Sequence, residues 1–322
     1  MNVSLFPNLR TLIIPKLRYR HSCDLALKPL LSPSLQQVEL LAPGRAYLTQ
    51  LQLHTPRLEH LRYMGSSSEA SLLFISSFRH LRHLDINFHQ SQNSHSPWYP
   101  TLLNALSTMP YLSSLLLCPP VDLNANQLSP TGFTQLKHLA ITGDSRIFGS
   151  ICRMTPNIEH LVLESRHREK PPNYTLLFEL LLRSSPLLRH IHVFGNQLAY
   201  AKPLLLLKFI QPLLKYSLHS ICLRWDGPFH ARLSDSDSEA LGRHWPELQH
   251  FDFFATGSYV TPNIPTLRSV AALTSACPNL TYLRMSIWNT AIEHSTYQPS
   301  STLRNLDNTY PPWLMITDAS SQ

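Results

Sequence analysis

Glycine is scarce in this chain of 322 residues, with nine against 26 prolines. That scarcity leaves no Gly-rich loop to cradle a phosphate. No G-x-S-x-G elbow or H-E-x-x-H pair occurs either, so the chain is read as non-enzymatic, with no catalytic residue and no cofactor. Cysteine is sparse as well. Cys23, Cys118, Cys152, Cys222 and Cys277 lie far apart with no C-x-x-C, which argues against a zinc knuckle or a disulfide framework and for reduced, buried thiols. The longest apolar run, Pro203–Leu214, is broken by Lys208, Gln211 and Pro212 and is too short to span a hydrocarbon core. The first residues, "MNVSLFPNLRTLIIPKLR", show no basic segment followed by a continuous apolar run, so no secretory signal is read there. The expectation is a monomer of the cytoplasm or nucleus with no membrane partner. Charged residues make up only 15 % of the chain, with a net charge of +7 (27 − 20). So mild an excess argues against nucleic acid as the partner.

What the chain has in abundance is a repeated frame, L-x-x-L-x-L, with other apolar residues allowed at the leucine places. It reads "NLRTLII", "SLQQVEL", "RLEHLRY", "HLRHLDI", "YLSSLLL", "QLKHLAI", "NIEHLVL", "LLRHIHV", "SLHSICL", "ELQHFDF" and "NLTYLRM", and "TLRNLDN" at Leu303 is a degenerate twelfth. The eleven frames begin at Leu9, Leu35, Leu58, Leu81, Leu112, Leu136, Ile158, Leu188, Leu218, Leu248 and Leu280, at spacings of 22 to 32 residues. A period of that length belongs to a solenoid and not to a globular α/β enzyme.

Within each frame the alternation x-L-x-L sends the second and third apolar residues inward and the residues between them outward, as in a strand. The segments between frames, such as 68–78, 174–185 and 264–277, carry apolar residues at helical spacing. Many end in "FPNL", "SPSL", "TPRL", "MPYL", "TPNI", "SPLL", "WPEL" or "CPNL", where proline stops the helix. Strand, helix and strand in one direction predict an α/β solenoid, with a parallel sheet on the concave side and helices on the convex side. One solenoid domain is expected over 1–308, with a capping segment and tail over 309–322 in which Trp313, Leu314, Met315 and Ile316 cover the last repeat.

The repeats "CPNLTYLRM", "TPRLEHLRY" and "TPNIEHLVL" resemble those of leucine-rich-repeat proteins of the ribonuclease-inhibitor-like type, and in particular the repeat region of fungal F-box proteins. The resemblance implies a horseshoe or arc and a substrate receptor of a cullin–RING (SCF) ubiquitin ligase. Two features depart from it. The ninth position of the repeat, usually Asn or Cys in this class, is Leu17, Pro43, Ser66, His89, Pro120, Asp144, Arg166, Asn196, Asp226, Thr256 and Trp288, so an irregular arc is expected. No L-P-x-E-[IL] stretch precedes Leu9, so a Skp-family adaptor is a partner only if an F-box precedes this chain. The expectation is that a preceding domain or a partner covers the first repeat.

Six frames place histidine just before the second apolar residue: His60, His83, His138, His160, His190 and His250. Adjacent strands lie about 4.8 Å apart, so His83 should flank His60, and His138, His160 and His190 should form a ladder. Zinc would need a further ligand beside it. None is fixed there, since Glu164 and Cys222 are near in register but not aligned, and no metal is assigned. Closely stacked imidazoles also resist simultaneous protonation, which allows a pH-sensing reading. The outward places further hold Glu39, Arg62, Asp85, Glu164, His192, Phe194, Arg224, Asp252, Phe254, Tyr282 and Arg284. Mixed charge among aromatics fits a protein-binding face better than a phosphate groove, where Lys and Arg would dominate. The run "SDSDSE" at 234–239 reads as a polar helix start, and "RHREKPPN" at 166–173 as a solvated loop.

The reading is a recognition solenoid that grips an unknown protein substrate through its concave face, with a stand-alone scaffold or inhibitor as the alternative and a nucleic-acid-binding solenoid behind it.

Overall fold

The structure is a computed structural model that describes residues 5–14, 28–41, 45–64, 73–87, 99–119, 128, 132–143, 147–165, 174–196, 204–226, 231–255, 265–286 and 313–317. The chain forms two compact units, Met1–Ile158 and Glu159–Gln322, and both are α/β. In the first, β1 (Thr11–Ile14), β2 (Gln37–Leu41), β3 (His60–Met64), β4 (His83–Asn87), β5 (Ser114–Cys118) and β6 (His138–Gly143) pair in parallel in chain order. They alternate with α1 (Arg45–His54), α2 (Tyr99–Ser107), α3 (Phe148–Arg153) and 3-10 turns at Lys28–Leu30 and Phe74–Ser77.

The second unit repeats the plan with β7 (His160–Ser165), β8 (His190–Asn196), β10 (Ser220–Asp226), β12 (His250–Ala255) and β13 (Tyr282–Ser286), all parallel. Between them lie α4 (Tyr174–Ser184), α5 (Leu206–Ile210), a 3-10 turn at Gln211–Lys215, α6 (Asp235–His244) and α7 (Leu267–Ala276). A separate two-stranded pair joins β9 (Leu204–Leu205) to β11 (Ala231–Arg232). Among the described residues the last strand, β14 (Trp313–Thr317), pairs antiparallel with β13.

Each frame supplies one strand in constant register. Leu61, Leu84, Leu115 and Leu139 are partners across β3 to β6, as are Tyr63, Ile86, Leu117 and Ile141, and all eight are at most 2 % exposed. In the second unit Leu161, Ile191, Ile221, Phe251 and Leu283 form the matching row, also at most 2 % exposed. Burying each such side chain contributes roughly 1.5–3 kcal/mol, and only when a neighbouring repeat covers it. The first repeat shows the converse: Leu9, Leu12 and Ile14 are only half-buried, and Leu5, Phe6 and Ile13 are exposed.

The prolines do more than stop helices. In "TPRL" Leu58 N donates to Thr55 O at 3.2 Å, and Leu188, Leu248 and Leu280 repeat the bond to Ser185, Trp245 and Cys277. Each proline therefore holds the second place of a four-residue turn that ends on the first frame leucine, where its fixed φ is already suitable. The residue before it closes the preceding helix, since Thr55 N donates to Leu51 O and Trp245 N to Leu241 O. Next along the chain, one carbonyl accepts two successive amides of the following strand. Gln36 O takes Glu59 N and His60 N, both at 2.9 Å, and Arg82, Arg189, His219 and Gln249 do the same. This doubled bond starts β2 to β6, β8, β10, β12 and β13 at the same place and so fixes the histidine column within each unit.

The helices expected over 174–185 and 264–277 are present as α4 and α7. Of the one expected over 68–78, residues 68–72 lie outside the described residues, Leu73 is α-helical and Phe74–Ser77 continues it as a 3-10 turn. Ser76 and Ser77 turn their hydroxyls back onto the carbonyls of Leu73 and Phe74, competing with helical bonding. The polar run at 234–239 starts α6 with a capping box between Ser234 and Asp237. The loop at 166–173, the degenerate frame at Leu303, Cys23 and nine of the ninth positions (Leu17, Pro43, Ser66, His89, Pro120, Asp144, Arg166, Thr256 and Trp288) lie outside the described residues.

Candidate recognition face

Strand alternation leaves a second set of side chains on the face opposite the core, in columns that run across the strands. In the first unit one column runs Gln37, His60, His83, Ser114 and His138. The rings of His60 and His83 stack at 4.1 Å and 7°, as their spacing predicts. His83 is held below its ordinary value by burial and by the charges of His60 and His138.

The next column carries Glu39, Arg62 and Asp85 on successive strands. Arg62 bridges both acids, at 3.3 Å from Glu39 and 2.9 Å from Asp85. Burial raises the Asp85 carboxyl in spite of Arg62, and its Oδ1 has no hydrogen-bond partner among the described residues. Exposed pairs of this kind stabilise by at most about 1 kcal/mol, so the triad sets local geometry more than stability.

The second unit holds the denser face. His160 and His190 stack at 3.7 Å and 22°, and His250 lies flat on Tyr282 at 4.1 Å and 3°. Ser220 separates the two stacks in register and hydrogen-bonds His192 Nε2 at 3.0 Å. Burial first, then the charges of His250, His160 and Arg224, push His192 down to about 4. His250 is lowered too, again chiefly by burial. Among the described residues His219 adds a contact at the rim, with Nε2 2.9 Å from Glu247.

At the centre of this face Arg224 donates both Nε and Nη2 to Asp252 Oδ2, and its guanidinium carbon lies 5.8 Å from the centre of the Phe194 ring. Asp252 sits in register between Cys222 on β10 and Arg284 on β13. Alternation alone predicts that Asp252 is exposed, and its side chain is instead fully buried while that of Arg224 is 38 % exposed. The arginine lies across the shorter carboxylate and takes the solvent-facing place. Cys222, also at an outward place, is 2 % exposed, and burial pushes its thiol up to about 12. It therefore stays a protonated thiol at neutral pH.

Each unit is thus a stack of leucine-rich repeats with one residue type recurring at one outward place. The fold is of the leucine-rich-repeat class. No family model matches the chain, and no curated protein matches it. Among solved structures it is similar to a chain of the Toll–Spatzle complex of Drosophila, described as a molecular hub in development and innate immunity. The two share 10 % identity at a TM-score of 0.34, over 76 % of this chain and 35 % of that one. This chain therefore spans about a third of that protein's chain, and a likeness so distant adds no argument to the repeat geometry.

Of the residues expected at the site, the structure brings together His60 with His83, Arg62 with Asp85, His160 with His190 and His192, and Arg224 with Asp252, Phe194, Tyr282 and Arg284. His138 belongs to the first unit and His160 to the second, so the expected three-membered ladder is described as the pair His160 and His190. Glu164 lies in register with Phe194. For Phe254 the backbone is paired with Arg224, but its side chain lies outside the described residues. Two contributors were missed from the sequence, Ser220 and His219. Ser220 holds the place that is histidine in neighbouring frames, a signal that reading only for histidine passes over. Among the described residues no cluster of three or more His, Cys, Asp or Glu is placed to hold a metal ion, and no helix is long and apolar enough to cross a membrane.

Proposed function

We propose that this protein is a non-enzymatic recognition module that grips a protein partner with the outward strand face of its repeats. The observation that carries the reading is the face of the second unit. Stacked imidazoles, two aromatic rings and a preset Arg224–Asp252 pair form a broad apolar and hydrogen-bonding surface on regular strands. Aromatic residues and arginine dominate the energetics of protein interfaces.

A finer reading makes the module the substrate receptor of an SCF ubiquitin ligase, and it rests on the likeness of the repeats to those of fungal F-box proteins. It predicts that the protein, tagged at its own locus, co-purifies with a Skp-family adaptor. Recovery of partners without the adaptor would leave a scaffold or inhibitor and end the ligase reading.

Recognition itself is tested by comparing two variants that both keep the wild-type circular dichroism. One carries His160→Ala, His190→Ala and His250→Ala on the strand face, and the other Glu179→Ala and Arg183→Ala on α4. Proteins captured by the wild type and the helix variant, and lost by the strand-face variant, support the reading. Equal capture by all three contradicts it. A nucleic-acid role would show as retention of random-sequence RNA that falls steeply with salt.

A further inference from the structure

The proline that holds the second place of the turn before a frame gives way in three frames to Arg79, Thr134 and Tyr216. Tyr216 is buried in the core, whereas Arg79 is exposed. The turn Phe78–Leu81 keeps the common form, with Leu81 N donating to Phe78 O at 3.3 Å, so Arg79 stands where the fixed φ of proline would serve. A cation at that place breaks the pattern of the fold, and such breaks mark functional sites. Beside it lies a cleft of about 380 Å³, within the range of roughly 300–1,000 Å³ of small-molecule sites. The cleft is lined from the turns of two successive repeats of the first unit, Thr55–Leu58 and Phe78–Leu81. Pro56, Leu58 and Phe78 give it apolar walls, and Gln52 on α1 ties the two repeats together by donating Nε2 to Ser77 O at 3.4 Å.

The hydroxyls of the cleft are already spent, since Thr55 donates to Leu51 O and Ser77 to Phe74 O. The Arg79 guanidinium has no hydrogen bond or ion pair among the described residues. Among the described residues no side chain lining the cleft is acidic, and Glu59, which follows Leu58, lies 3.7 Å from Arg82. His80, also in the lining, is steadied from outside by the parallel ring of Tyr111 at 6.1 Å and 7°. A guanidinium fork beside apolar walls suits a carboxylate carried on an apolar body.

We infer that this cleft binds a small organic acid, with the carboxylate paired to Arg79 and the apolar body held between Pro56, Leu58 and Phe78. The site lies at the turns and not on the strand face, so it stands or falls independently of the recognition reading. A phosphate group fits less well, because it carries nearly two negative charges at pH 7 and a single guanidinium lines the cleft.

The test is titration of the full chain with hydrocinnamate and with hexanoate, each beside its neutral amide, followed by saturation-transfer NMR and calorimetry. The expected result is a Kd of roughly 1 mM for the better acid and roughly tenfold weaker binding of its amide. Arg79→Pro restores the turn residue of the other frames. The Arg79 N–H makes no backbone hydrogen bond among the described residues, and Phe78 already has the extended backbone, φ −77° and ψ 90°, that a following proline requires. This variant should keep the wild-type urea midpoint or raise it, while binding the acid roughly tenfold more weakly. The His160, His190 and His250 variant should bind the acid as the wild type does. Equal binding of acid and amide would overturn the inference, as would acid binding that survives Arg79→Pro or no binding of either acid. Inorganic phosphate that displaces the acid and binds more tightly would assign Arg79 to phosphate and overturn the carboxylate class. The peptide Ac-Ala-Ala-Ala-Phe with a free terminal carboxylate, if bound more than roughly tenfold tighter than hydrocinnamate and lost on Arg79→Pro, would assign the cleft to a partner's chain end and overturn the small-molecule source.

Discussion

Arg224 and Asp252 show how one side chain redefines another. Sequence alternation places both on the outward face, and it cannot see that the arginine is long enough to roof the aspartate. Removing the roof strands a buried charge, so Arg224→Met should destabilise the chain by about 3 kcal/mol. The joint Arg224→Met and Asp252→Leu change should recover most of that loss in urea unfolding, since replacing both members of a buried pair by apolar groups is close to neutral. A full loss in the joint variant would show that packing, and not the stranded charge, is responsible. His192 gives a residue-scale prediction with a sign. Its folded value of about 4 lies below the ordinary 6.5, so the unfolded chain takes up the proton first. Stability should therefore fall as pH drops from about 6.5 toward about 4 and stay flat above. His250, His160, Arg224 and Asp252 face the ring and set this shift together with burial. His192→Gln should flatten the slope of the urea midpoint between pH 7 and pH 5, and an unchanged slope would assign it to other groups.

At the scale of the element, the repeat was legible because its signals are local. The frame spacing, the two-residue alternation and the proline two places before the first leucine each follow from backbone geometry within a few residues. The 3-10 turn at Phe74–Ser77 was missed because serine hydroxyls compete for the same carbonyls that a helix would use. Asp235 was legible only as part of a polar helix start, yet it reaches across to α7. Its carboxylate accepts from Thr266 N at 2.9 Å, Thr266 Oγ1 at 2.8 Å and Ser269 Oγ at 2.6 Å. Burial pushes this acid up, and the bonds from Ser269 and Thr266 outweigh it and leave the carboxyl below its ordinary value. Asp235→Ala should therefore cost roughly 1–2 kcal/mol, and protection from hydrogen exchange should fall first in α7. A stronger local effect is expected from Leu161→Asp, where a residue 1 % exposed becomes a charge in the core. It should abolish cooperative unfolding of the repeats around β7, and a near-native urea curve would contradict the inward placement of that row.

Taken over the whole molecule, the fold class was readable before any coordinates and the partner was not. Recurrence of a frame reports how the chain packs on itself, whereas recognition depends on side chains at non-frame places whose burial is set by neighbours tens of residues away, as with Asp252 and Cys222. The histidine at one fixed outward place bridges the two levels. Its recurrence was visible in the sequence, its stacking at His60 with His83 and at His160 with His190 follows from strand spacing, and the lowering of His83 and His250 comes chiefly from burial that only the fold supplies. The measurement that tests the central claim most directly is quantitative capture by the wild type, the triple strand-face variant and the α4 variant under identical conditions, with all three shown to be folded. The account predicts that partners are lost with His160→Ala, His190→Ala and His250→Ala and retained with Glu179→Ala and Arg183→Ala. Partners retained by the strand-face variant and lost by the α4 variant would place recognition on the helices and contradict it.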